Sequence, residues 1–130
     1  MISHVCVGVA DFDRAFDFYS AVMAELGLPL RFRNEETHWA GWMPPDGGHP
    51  RFYIAHPYDG EAPAPGNGQM TAFLAPNRET VRRCYSAAIA AGAKSEGPPG
   101  LRPQYHPHYY GAYFRDPDGN KLGLVCHDPE

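Results

Sequence analysis

Tyr109-Tyr110-Gly111-Ala112-Tyr113-Phe114-Arg115-Asp116-Pro117-Asp118-Gly119-Asn120-Lys121-Leu122-Gly123-Leu124-Val125-Cys126 reads as a single β-hairpin. The aromatic run Tyr109 to Phe114 and the apolar run Leu122 to Cys126 suit a pleated, half-buried surface. Between them, Pro117 fixes φ early in a turn, and Gly119 and Asn120 tolerate positive φ at its end.

Working outward, the N-terminal Ile2 to Val9 alternates, with Val5, Val7 and Val9 on one face and His4, Cys6 and Gly8 on the other. Asp11 is placed to cap a helix over Phe12 to Leu26, where Phe12, Phe16, Tyr19, Met23 and Leu26 recur at helical spacing. Gly27 stops that helix. Strands are expected at Leu28 to Arg33, at Thr37 to Met43 with Trp39 and Trp42 at opposite parity, and at Arg51 to Ala55. The breaker-rich stretch Pro57 to Gly68 is a linker.

The pattern then starts again. A strand is expected at Gln69 to Ala75, followed by a helix capped by Asn77, with Val81, Cys84, Tyr85, Ala88 and Ile89 as its apolar stripe, and Gly92 at its end. A Pro/Gly loop over 97–107 leads to the final hairpin, with a short strand somewhere inside it. Tyr19-Ser20-Ala21 matches Tyr85-Ser86-Ala87 at an offset of 66, and Pro45-Asp46-Gly47 matches Pro117-Asp118-Gly119 at an offset of 72. Two short identities in the same order, each at the same place in a β-α-β-β-β unit, mark an internal repeat. The division expected is a first module at 1–56, a linker at 57–68 and a second module at 69–130, together one α+β domain with curved sheets around a cleft.

Composition excludes several classes. At 130 residues with 43% hydrophobic and 13% aromatic content, the chain can bury a core. A formal charge of −4 lacks the footprint of a nucleic-acid binder. No apolar stretch approaches the roughly 20 residues of a membrane helix. Cys6, Cys84 and Cys126 are odd in number, sit in apolar segments and form no C-x-x-C, which suits buried thiols in a reducing, cytoplasmic compartment.

Ser3-His4-Val5, Phe18-Tyr19, Gly66-Asn67-Gly68 and the closing Asp116-Pro117-Asp118-Gly119-Asn120 resemble the vicinal-oxygen-chelate superfamily of glyoxalases, bleomycin-resistance proteins and extradiol dioxygenases. The resemblance covers nearly the whole chain and implies tandem β-α-β-β-β modules, a small-molecule ligand and a homodimer. Family enzymes hold a divalent metal, Zn, Ni, Mn or Fe, on His, Glu or Gln side chains. The four corresponding positions here are His4, Met70, a position near Tyr53, and Gly123. Only His4 is a competent ligand, so the metal site reads as dismantled and no cofactor is expected. A shifted set would draw on Gln69 through a bulge, or on His106 and His108, which share a face if extended.

The cleft is therefore expected to be lined by His4, Cys6, Trp39, Arg51, Tyr53, Met70, Tyr109, Tyr113 and His127, with Arg51 facing either a substrate carboxylate or solvent. Two functions follow. One is a binding protein of the bleomycin-resistance type; the other is a metal-dependent, glyoxalase-like lyase or isomerase, or a dioxygenase, using the shifted set.

Overall fold

The computed structural model describes residues 1–130. Its strands are β1 (His4–Gly8), β2 (Leu30–Asn34), β3 (Trp39–Trp42), β4 (Arg51–Ala55), β5 (Thr71–Leu74), β6 (Lys94–Leu101), β7 (Tyr110–Arg115) and β8 (Lys121–Cys126). Helices α1 (Phe12–Leu26) and α2 (Arg78–Ala90) follow β1 and β5. The strands form two four-stranded mixed sheets, ordered β1-β4-β3-β2 and β5-β8-β7-β6. In each sheet the first strand pairs in parallel with the last of its module, and the other pairs are antiparallel. This is the tandem α+β architecture expected from the repeat.

Local chemistry sets the helix ends. The Asp11 side chain accepts from Arg14 N at 3.1 Å, and Asn77 accepts from Thr80 N at 2.8 Å. Gly27 closes α1 at φ 71°, a conformation that carries little cost only without a Cβ. The apolar stripes of both helices enter one core of 21 buried residues, which includes Phe18, Tyr19 and Ile54 from the first half and Phe73, Phe114 and Leu124 from the second. Rings join the halves: Phe18 meets Phe114 at 6.2 Å, and Phe52 meets Phe73 at 5.0 Å, both edge-on. Ile89, expected on the buried stripe of α2, is 38% exposed because it flanks the contact face.

The β7–β8 turn also fastens the two modules together. Buried Asp116 accepts from the backbone N–H of Asp118 and Asn120 through one oxygen, at 2.9 and 2.8 Å. Its other oxygen accepts from the Tyr19 hydroxyl at 2.5 Å and the Asn120 amide at 2.9 Å. That amide also donates to Gly8 O at 2.9 Å, and Ala10 N donates to Asp118 at 3.0 Å. The Asp-Pro-Asp-Gly-Asn turn is thus bonded to α1 and to both ends of the β1–α1 corner. Burial and the Asp116 carboxylate together hold the Tyr19 phenol well above its ordinary range.

The largest departure from the sequence reading is β6. Lys94 to Leu101 is a strand of eight residues, although it contains Gly97, Pro98, Pro99 and Gly100 and was read mainly as loop. It lies on the sheet edge, where an absent N–H is tolerated. Its pairing with β7 shifts register between Ser95 and Gly97 and again between Gly97 and Gly100, and the second shift absorbs both prolines. Elsewhere β2 begins two residues later than expected, and β3 and β5 are each shorter at both ends. Gln69 precedes β5 and so takes no part in its pairing with β8. Gln69 instead folds back over Gly66, where a Cβ would strike its side chain.

Candidate functional site

Three neighbouring depressions run across the seam between the sheets. The first, about 650 Å³, is lined by Cys6, Trp39, His56 and Asn120 among others. The second, about 470 Å³, shares Cys6 and Asn120 with the first and adds Gln69, Met70 and Lys121. The third, about 810 Å³, shares Met70 and Lys121 with the second and is walled by Tyr105, Tyr109, Tyr113, Arg102 and His127. Shared walls make one open trough with its middle over β1 and β5.

Strand pairing places a tyrosine ring over a glycine in each sheet: Tyr113 walls the third depression, whereas Tyr53 packs against Trp39, which lines the first. In the first sheet Tyr53 on β4 lies between Cys6 on β1 and Gly41 on β3. A Cβ at Gly41 would land in the Tyr53 ring and 2.8 Å from Phe32, so only glycine lets that ring lie flat across β3. Tyr53 also meets His4 at 5.3 Å, Trp39 at 5.5 Å and Phe32 at 5.7 Å. Trp42 turns the other way and stacks on Phe16 of α1 at 5.7 Å.

The second sheet repeats this arrangement with the partners exchanged. Tyr113 on β7 faces Gly123 on β8, which lies beside Ala72 on β5. A Cβ at Gly123 would sit 3.3 Å from both Ala72 Cβ and the Tyr113 ring. Gly41 and Tyr113 occupy equivalent places in the two modules, as do Tyr53 and Gly123. The tyrosine has moved from one strand to its neighbour while the ring has kept its place over a glycine.

A polar network surrounds Tyr113. Its hydroxyl and that of Tyr109 are 2.8 Å apart. Burial, and then the bond to Tyr109, push the Tyr113 phenol well above its usual range. His106 and His127 stack with ring centroids 5.1 Å apart, and His106 Nε2 lies 2.8 Å from His127 Nδ1. His108 N donates to His106 Nδ1 at 3.1 Å. With that nitrogen accepting, the neutral His106 ring carries its proton on Nε2 and donates to His127, whose Nε2–H is left free. The Arg102 guanidinium and the Lys121 ammonium lie 5.6 and 5.9 Å from the Tyr113 ring centre.

The residues expected at the cleft therefore fall into two groups. Cys6 and Trp39 on the first sheet, and Tyr113 with Met70, Tyr109 and His127 beside the second, line the depressions, whereas His4 and Tyr53 stand on the first sheet without lining one. Arg51 is placed elsewhere, since its guanidinium donates to Gly47 O at 3.0 Å and Gly48 O at 3.2 Å and so holds the β3–β4 turn. His106 and His108 do not present their rings side by side, because 107–108 forms a turn rather than an extended segment. No three His, Cys, Asp or Glu side chains converge as a metal-binding group.

Sequence reading missed Arg102 and Lys121, which no motif marks. It also missed His56, whose ring lies tilted against His38 at 4.4 Å while its Nε2 is buried without a partner. His38 sits at φ 52°, unusual for a residue with a side chain.

The thiols offer a check on the first-sheet end. Cys6, expected to be buried with the other two, stays open to solvent in the trough although its neighbours partly cover its sulfur, whereas Cys84 and Cys126 are buried. Burial pushes the Cys84 thiol up to about 12, and Cys6 is raised as well, also by burial. Iodoacetamide on the native protein at about pH 8.5 is expected to label Cys6 alone, slowly, and all three thiols after denaturation. Peptide mass spectrometry that finds Cys84 labelled as fast as Cys6 would contradict this packing.

A family model described as the Glyoxalase/Bleomycin resistance protein/Dioxygenase superfamily matches residues 1–124. Among solved structures, a glyoxalase/bleomycin resistance protein from Albidiferax ferrireducens T118 is 35% identical, with a TM-score of 0.87 over 97% of this chain and 98% of that one. A glyoxalase/bleomycin resistance protein/dioxygenase family enzyme from Burkholderia phytofirmans PsJN shares the fold at 20% identity and a TM-score of 0.72, covering 97% and 98% of the two chains. A glyoxalase-related enzyme from Fulvimarina pelagi does so at 20% identity and 0.72, covering 97% and 87%. No curated protein matches the chain.

Proposed function

This chain belongs to the glyoxalase/bleomycin resistance protein/dioxygenase superfamily, and from that premise we propose that it binds a small aromatic or amphipathic molecule in the trough. Modules 1–56 and 69–130, joined by 57–68, would act as one binding unit. His4, Cys6, Trp39 and Tyr53 would hold one end of the ligand, and Met70, Tyr109, Tyr113 and His127 the other.

The exchanged tyrosine–glycine pairs carry this reading. They put Tyr113 in the wall of the third depression and Tyr53 behind its contact with Trp39 of the first, and aromatic walls with few polar groups are what small-molecule sites use. The same pairs speak against a divalent metal at the superfamily positions. Gly123 offers no donor, and a carboxylate side chain there would need the space that the Tyr113 ring and Ala72 take. Met70 supplies a thioether, a poor donor for a hard cation. His4 is exposed and lies tilted against Tyr53. The shifted set fits no better, because the bond from His108 N keeps a proton on the His106 nitrogen that would have to ligate. A homodimer in a reducing compartment belongs to the same reading. Three unpaired thiols support the compartment, and Leu30, Trp39 and Leu101, each more than a third exposed, support the dimer.

The test is a titration with 2-naphthalenemethanol, a neutral aromatic probe, followed by Trp39 emission. Saturable quenching is expected, absent in Trp39→Phe and weakened about tenfold in Tyr53→Ala, the scale of one lost aromatic contact. In parallel, protein stripped and re-exposed to Zn, Ni, Mn and Fe(II) is expected to hold no stoichiometric metal by elemental analysis. About one equivalent in the wild type, lost in His4→Ala, would overturn the reading in favour of the metal-dependent one.

A further inference from the structure

The geometry points to a carboxylate subsite at the second-sheet end of the trough, formed by Arg102, Lys121, His127 and the Tyr109–Tyr113 pair. It would make the ligand an aromatic carboxylate whose ring lies on the trough floor. This rests on the trough being the binding site and adds the end at which the charge sits and its sign.

Charge is the first support. The chain carries a formal −4, yet this end gathers two cations, and neither Arg102 nor Lys121 takes part in any of the ion pairs. The one carboxylate among the lining residues is Glu96, and Arg115 holds it at 3.0 Å. An unbalanced positive patch in a concave, aromatic wall attracts an anion and focuses its field there.

Hydrogen-bond accounting is the second. His108 N fixes the protonation of the His106–His127 pair so that His127 Nε2–H is left to donate. The two phenols share one bond, which uses one of their two protons and leaves the other O–H free. Arg102 and Lys121 only donate. The network thus offers donors from four sides, and a ligand that accepts at two adjacent oxygens satisfies them better than a neutral alcohol.

The seat of Arg102 is the third. Its guanidinium is tied back to Pro98 O at 2.8 Å and Leu101 O at 3.4 Å. A Cβ at Gly97 would lie 3.2 Å from Arg102 Nη2, and one at Gly100 3.0 Å from Nη1. The glycines beside the two prolines of β6 leave the room in which this side chain lies over the strand and reaches Tyr113.

Calorimetric titration of the full chain at about pH 7.5, where a benzoic-type acid is ionised, compares 2-naphthoate with 2-naphthalenemethanol. The expected result is a preference for the carboxylate of about tenfold or more, as for a charge-assisted pair, that weakens with added salt. Arg102→Gln and Lys121→Gln should each erase most of the preference by weakening 2-naphthoate far more than the neutral probe; Arg83→Gln, whose side chain pairs with Glu25 of α1 away from the trough, should change neither affinity. Equal affinity for both probes would overturn the carboxylate subsite and leave the trough reading standing. Binding of neither probe would overturn both. Retention of the preference in both Gln variants would also overturn the assignment, and their circular dichroism separates loss of charge from loss of fold.

Discussion

Asp116→Ala is expected to cost about 3–5 kcal/mol, enough to leave a domain of ordinary stability partly unfolded at room temperature. The carboxylate is buried and accepts four hydrogen bonds, two from backbone N–H groups of its own turn, one from the Asn120 amide and one from Tyr19. Removing it strands those donors away from water, which costs more than the bonds themselves contributed. Tyr19→Phe deletes one of the four and is expected to cost about 1.5–3 kcal/mol, the range for a bond to a charged group. Because the residues touch, the double variant should be less destabilised than the sum of the two, by about 1–2 kcal/mol. Urea unfolding measures all three, and an Asp116→Ala midpoint close to that of the wild type would refute the assignment of this turn as the fastening between modules.

The same pair sets an alkaline limit. The Tyr19 phenol is held neutral in the fold and its pKa is raised above its unfolded value near 10. Above that value the unfolded chain gives up the proton while the folded chain keeps it, so the contribution of this group is complete below about pH 10 and declines as pH rises beyond. The fall in stability between about pH 9 and 11 should be shallower in Tyr19→Phe than in the wild type. Parallel curves would mean that another group sets the alkaline limit.

Gly41→Val is expected to be the second most damaging change, at about 3 kcal/mol, the upper part of the range for an overpacked site. The new side chain falls on the Tyr53 ring and on Phe32, which pack against each other at 5.7 Å, with Tyr53 also against Trp39 at 5.5 Å. Gly123→Val in the other module should cost less. Its nearest contacts, Ala72 Cβ and the Tyr113 ring, are at 3.3 Å and need to give way by only a few tenths of an ångström. Tyr53→Ala in the Gly41→Val background should recover part of the loss by vacating the ring's place. Near-UV circular dichroism should report the displaced ring, and an order of damage reversed between the two glycines would contradict the exchanged-pair geometry.

The motif most distinctive in the sequence proves to be architectural. Asp116-Pro117-Asp118-Gly119-Asn120 gives its side chains to α1, to Gly8 and to itself. One of its residues, Asn120, also lines two of the three depressions.

Much of the fold was legible because its signals are local. Asp11, Gly27 and Asn77 act within a few residues of themselves, and all three stand where capping chemistry put them. The hydrophobic period distinguishes strand from helix without knowledge of partners, and the repeat of that pattern implied the two-module architecture. Candidate residues came from two sources: the family resemblance and the repeat pointed to His4, Tyr53 and Met70, and parity on strands added residues such as Cys6, Arg51 and His127.

What only the tertiary structure decided depends on register and on contacts between distant segments. That Tyr53 lies on Gly41 and Tyr113 on Gly123 follows from which residues face each other across strands, and a one-residue slip would separate both pairs. His106 meets His127 across 21 positions. Arg51 was drawn away from the cleft by two carbonyls of a turn. β6 was obscured because proline and glycine carry the local signature of a loop, while edge position and bulges, which are properties of the assembled sheet, allow them in a strand. Arg102, which no motif singled out, owes its place over Tyr113 to that same irregular strand.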